Sequence, residues 1–143
     1  MSKHFLVAML CVCAVAAAGC RRRKESGERV QIRTEDGQVV FDSGASVELP
    51  RDFPRDIPLP RRAPVRMAME MPDGFMVTVE RAEAMRDAAA DFRAAMGREG
   101  WTEEHSMDLG VSVMILFNKG DRAVQSVFVS EEGKTLMTLT SGG

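Results

Sequence analysis

A chain of 143 residues with 45% apolar residues and a net charge of −2 has room for one modest domain and its flanking segments. Its 19 basic residues are outnumbered by 21 acidic ones, so it lacks the basic field that nucleic-acid binding requires. Three cysteines, two histidines and no tyrosine leave little material for metal or nucleophile chemistry.

Met1-Ser2-Lys3-His4 is a small basic start, Phe5 to Ala16 is almost wholly apolar, and small residues then lead into a cysteine. Charge, oily run and small residues in that order make a secretory signal, not a structural helix. A spanning helix needs about 20 apolar residues, and this run ends short of that, before Arg21-Arg22-Arg23-Lys24. Ala17-Ala18-Gly19-Cys20 resembles the lipobox of bacterial lipoproteins, with small Ala18 and Gly19 before the cysteine and Ala17 where Leu is usual. The resemblance implies cleavage between Gly19 and Cys20, a thioether-linked lipid on Cys20, and acylation of the new amine by palmitate or a similar chain. Each buried methylene contributes about 0.8 kcal/mol, so two or three chains on one residue make a lasting membrane attachment. Arg21 after the cysteine, where Asp would retain the protein at the inner membrane, implies an address at the outer membrane facing the periplasm. Arg21 to Lys24 either meets anionic head groups or is the basic start of a solvated tether. Residues 1–19 thus read as a signal peptide and residues 20–28 as a lipidated flexible tether. Cys11, Cys13 and Cys20 all lie at or before the cut, so the domain is expected to be held by its core, without disulfides.

Arg29 to Arg33 alternates with period two, Gln38 to Phe41 is β-rich, and Asp36-Gly37 between them signals a hairpin. A lone hairpin is only marginally stable, so this one must join a larger sheet or stay loosely ordered. Five of the six prolines then fall between Pro50 and Pro64, which excludes helix and central strand. Phe53, Ile57 and Leu59 are apolar enough to pin this stretch on the domain as an extended strap; the alternative is a polyproline II ligand for a partner. Residues 29–64 form the hairpin-and-strap part and residues 65–143 an α+β domain. The strap, Pro50-Arg51-Asp52-Phe53-Pro54-Arg55-Asp56-Ile57-Pro58, resembles that of a group of small bacterial envelope lipoproteins. In that group it precedes a hairpin, a helix ending in Gly-Trp and a C-terminal meander. The resemblance spans roughly Val30 to Thr140 and implies fold and location; it brings no catalytic or binding residues.

Val65 to Met71 alternates, Pro72-Asp73-Gly74 turns, and Phe75 to Val79 returns as a second hairpin. Met85, Ala88, Ala89, Phe92, Ala95 and Met96 recur at helical spacing within Glu83 to Glu99. Gly100 is a suitable stop, but no good N-cap residue precedes the helix. Trp101 to Met107 reads as an edge strand, Val111 to Phe117 as the oiliest strand, and Arg122 to Val129 with Lys134 to Thr140 as the rest of a meander. Val113, Ile115 and Phe117 share one face with Val111, while Met114 and Leu116 share the other. A strand oily on both faces is expected to be central, covered by the helix on one side and by the strap or a partner on the other. The fold class is α+β: one antiparallel sheet, one amphipathic helix on a face, in the order β-β-strap-β-β-α-β-β-β(β), with three or four strands after the helix.

Beyond the signal there is one histidine, His105, and its neighbour Ser106 would point to the opposite face of a strand, a poor base–nucleophile pair. The carboxylate pairs Glu103-Glu104 and Glu131-Glu132 read as solvated polar residues. No phosphate loop or dinucleotide fingerprint occurs, and no cofactor and no enzyme activity are expected. One metal pattern stands out. Met67, Met69 and Met71 share a strand face, and His105 and Met107 share another; soft thioethers of this kind suit Cu(I). The plainer expectation is that the methionine stripe fills the core against Phe92 and Met96. The resulting expectation is a membrane-anchored, non-catalytic module that meets a protein partner in the cell envelope. The alternative is a periplasmic-side carrier of a copper ion or small apolar ligand.

Overall fold

Period-two alternation builds strands and the one stretch of period 3.6 builds a helix, and the chain follows both. The computed structural model describes residues 27–35 and 37–142; the lipobox, with Gly19 and Cys20, the tether through residue 26 and the turn residue Asp36 lie outside them. The elements are β1 (Glu28–Thr34), β2 (Gly37–Ser43), β3 (Val65–Met71), β4 (Gly74–Arg81), α1 (Met85–Arg98), β5 (Thr102–Asp108), β6 (Ser112–Lys119), β7 (Arg122–Glu131) and β8 (Lys134–Gly142). They form one 8-stranded sheet in the order β1-β2-β3-β4-β8-β7-β6-β5, and every neighbouring pair is antiparallel. The first hairpin is not free-standing, because β2 pairs with β3 from Val40↔Glu70 to Ser43↔Met67.

The crossover explains the layer arrangement. After β4 the chain passes through α1 to β5 at the far edge, then meanders back until β8 pairs with β4. The helix therefore lies across β5, β6, β7 and β8 on one face. Its apolar stripe, Met85, Ala88, Ala89, Phe92 and Met96, is buried against Val113, Ile115, Phe117, Phe128 and Met137. The alanines bring the helix close to the strands, and Phe92 wedges edge-on between Phe117 and Phe128, with ring centroids 5.8 and 5.9 Å away. Ala84 makes no side-chain cap bond at the helix start. The buried Arg81 guanidinium fixes that start instead, donating to the Ala88 carbonyl and the Glu83 carboxylate, and the Thr135 hydroxyl donates to the Glu83 carbonyl. At the other end Gly100 takes a φ of 83°, the left-handed turn that ends a helix.

Residues 44–64 link β2 to β3 without a regular element. They lie on the same face as the helix, not on the opposite one. Phe53 stacks on Phe75 at 4.8 Å, Ile57 is buried in the core, and the Trp101 indole N–H donates to the Asp56 carbonyl at 2.8 Å. The Asp56 carboxylate accepts from Lys119 Nζ at 2.8 Å and from the Arg122 guanidinium, and Arg122 lies over the Trp101 ring at 4.9 Å. Bonds from Arg122 and then Lys119 hold the Asp56 carboxyl well below the usual carboxylate range.

Two expectations are corrected here. The strand oily on both faces, β6, is next to the β5 edge rather than central, and helix and proline-rich connection together cover only one side of the sheet. Val111 is not on the buried face with Val113; it is 77% exposed in the β5–β6 turn, where the Gly110 N–H donates to Asp108.

Candidate functional site

The antiparallel registers divide the strand residues into two sets. The set facing the helix holds all the buried apolar strand residues, among them Val77, Leu139, Phe128 and Ile115. The other set forms a face that no element among the described residues covers. From one edge, β1 supplies Val30 and Ile32, and β2 supplies Val39 and Phe41 opposite them. Next come Met67, Met69 and Met71 on β3, with Met76 opposite Met69 on β4. Thr78 and Thr138 pair at the centre, their hydroxyls 3.0 Å apart and bonded to each other. Leu136 on β8 lies opposite Val129 on β7, and Val127 opposite Met114 on β6. Met107 on β5 lies opposite Met114, and His105 opposite Leu116, at the far edge.

This face is uncharged in its interior, where the apolar residues are mixed with Thr78, Thr138, Thr140, Gln125 and Ser112. Its charges stand at the strand ends: Arg66 and Lys134 both donate to Glu80, each at 2.6 Å, and at the opposite end Glu104 accepts from Asn118. Hydrogen bonds from Lys134 and then Arg66 lower the Glu80 carboxyl below its ordinary value. The most exposed large apolar residues cluster on this face or at its corner: Ile32 is 54% exposed, Met107 43% and Val129 40%, and Leu109 in the adjoining turn 57%.

The sequence-selected residues occupy this face but do not converge. Met67, Met69 and Met71 point away from the helix, which corrects the expectation that they fill the core; Met85, Met96 and Met137 do that instead. His105 and Met107 share the uncovered face with the methionine stripe, yet β3 and β5 are five strand spacings apart, about 24 Å. Ser106 pairs with Ile115 and so turns to the other face from His105. Glu103 pairs with Arg93, and Arg86 with Asp108, joining the helix to β5. Among the described residues no three His, Cys, Asp or Glu side chains gather to hold a metal. A cavity of about 430 Å³ lies on the helix side between β1–β3 and residues 48–51, and its lining includes the ion pair of Arg29 and Asp42.

Several residues of the face escaped the sequence reading: Phe41, Met76, Val127, Leu136 and Thr138. Their signal is the second apolar phase of each strand, which alternation alone assigns to no particular side. Comparison with protein-family models, curated proteins and solved structures finds no match to this chain.

Proposed function

We propose that this chain is a non-catalytic docking module, held by a lipid on Cys20 at a membrane of the bacterial envelope, the outer one, with its domain in the periplasm. One observation carries the docking part: a sheet face with an uncharged, largely apolar interior and no covering element among the described residues. Contiguous apolar patches of more than a few hundred Å² mark interaction sites on soluble domains. The proline-rich stretch serves as a strap that closes the helix-side core through Asp56 and Trp101, which leaves the other face for a protein partner. The lipobox resemblance at Ala17 to Cys20 supports the address, and the adjoining basic residues suit an anionic surface.

The address is tested by mass spectrometry of the native chain and by Cys20→Ser. The expected results are a diacylglyceryl-modified Cys20 at the N-terminus and, for the variant, loss from the membrane fraction. An unmodified thiol or an intact leader overturns the address.

A second reading, a Cu(I) carrier, draws on Met67, Met69 and Met71 sharing a face with Met76. Thioethers are soft ligands, but His105 and Met107 stand too far away to complete that set. Competition against a Cu(I) chelator separates the readings: stoichiometric binding lost on Met67→Leu/Met69→Leu favours the carrier, and none removes it.

A further inference from the structure

We infer that the partner on the uncovered face is a second copy of this chain, the two sheets stacking face to face; this deepens the docking reading and rests on it. Area is the first argument. Eight strands of mostly seven to ten residues present a surface of about 34 by 23 Å, roughly 800 Å². That is about the contribution of one partner to a standard stable interface.

Chemical self-complementarity is the second. A two-fold interface sets a patch against itself, so any charge inside it meets its own kind. The interior of this face holds none, and two of its central hydroxyls, Thr78 and Thr138, are bonded to each other. Stacking two copies therefore sets no charge against its own kind, and Thr140, Gln125 and Ser112 of the same face can pair across the interface. The methionine side chains add adaptable filling for an interface that no dedicated partner has shaped.

The β5 edge supplies the third argument, because it disfavours growth by strand addition on that side. β5 carries a register break between Glu103 and His105, and its Glu103 and Asp108 are engaged by Arg93 and Arg86 of the helix. Bulges and charges of this kind blunt an edge. Face stacking avoids the blunted β5 edge, whereas β1, at the other edge, pairs with β2 in unbroken register.

The test uses the full chain in its own membranes, with one cysteine introduced at a time on neighbouring strands of the face: Met69→Cys, Leu116→Cys, Val127→Cys or Thr138→Cys. Ala90→Cys, on the exposed side of the helix, is the control. Stacked sheets lie about 10 Å apart, within the span of a short bis-maleimide. The expected result is a band at twice the chain mass, at least tenfold stronger for face positions than for Ala90→Cys. Adding Val127→Asp to Thr138→Cys should return the band to the control level while the Trp101 fluorescence unfolding midpoint stays unchanged. Face positions no better than Ala90→Cys overturn the second copy as occupant, and so does a crosslink to a protein of different mass. The parent chain, whose cysteine beyond the leader is Cys20, reports separately on the address. A band there means a free Cys20 thiol and strikes the lipid attachment, while the increment from each new cysteine still decides the dimer.

Discussion

Phe92→Ala tests whether the helix-side core alone carries the stability of this domain. Phe92 is 2% exposed and meets Phe117 and Phe128 edge-on. Truncating a buried Phe to Ala costs about 3–5 kcal/mol, combining lost transfer energy with the cavity left behind. The edge-to-face pairs account for about 0.5–1.5 kcal/mol each within that sum. The upper half of the range applies here, because Phe92 sits between two further rings on a rigid sheet, so the site cannot collapse readily. Domains of this size are stable by roughly 5–15 kcal/mol, so the variant should be folded but marginal. Urea unfolding followed by Trp101 fluorescence is the assay. Trp101 is the sole tryptophan, is 4% exposed, and its backbone N–H donates to the Met96 carbonyl at the helix end, so its emission reports the helix–sheet contact directly. A loss below about 1 kcal/mol would mean that the helix does not bury this side chain, and the assigned packing would fall.

The Asp56 latch should be acid-sensitive. Its folded pKa lies below the ordinary value, so its contribution is fully present above about pH 4 and disappears as pH falls through the folded value. Trp101 emission should shift in that acid range for the native chain and not for Asp56→Asn; an identical acid transition in both would refute the latch. In Val127→Asp, which leaves the face unpaired, hydrogen peroxide, which transfers one oxygen to a thioether and leaves water, should convert Met107 and the β3 methionines to sulfoxides well before Met96 and Met137, which are 0% exposed. Peptide mass spectrometry over a time course reads the order, and equal rates would contradict the assignment of methionines to two faces.

Local signals were legible and non-local ones were not. The helix read as Glu83 to Glu99 forms over Met85–Arg98, and both early hairpins form where Asp-Gly turns separate alternating runs. Alternation also grouped Met67, Met69 and Met71 on one face. It could not say which face, because that depends on the pairing of β4 with β8, some 60 residues apart in the chain at Thr78↔Thr138. The same long-range pairing put β6 beside an edge. Oiliness on both sides of β6 implied a cover for each, and the inference failed because helix and proline-rich connection compete for one side. Trp101 and Asp56 decide that competition through a backbone acceptor and an ion cluster that no local pattern announces. Val111 belongs to the turn because Gly110 adopts a φ of 81° and Asp108 binds its N–H, so the strand starts one residue later.

The chemistry of the uncovered face is not a by-product of folding. A one-layer sheet with a helix on one side folds equally well when its other side carries lysine, glutamate and threonine, and antiparallel sheets with a solvated face commonly do so. In this chain the polar choice is made where it serves that end: the outer side of the helix bears Arg86, Asp87, Ala90, Asp91 and Ala94. On the uncovered sheet face the chain places methionine, valine, leucine and phenylalanine across β1 to β5, and confines Arg66, Glu80, Lys134 and Glu104 to the strand ends. Apolar residues there add nothing to the helix-side core and raise the hazard of aggregation. In the proposed docking role an occupant offsets that hazard by removing the face from water, and the uncharged interior with a charged margin calls for a largely apolar, uncharged surface on that occupant.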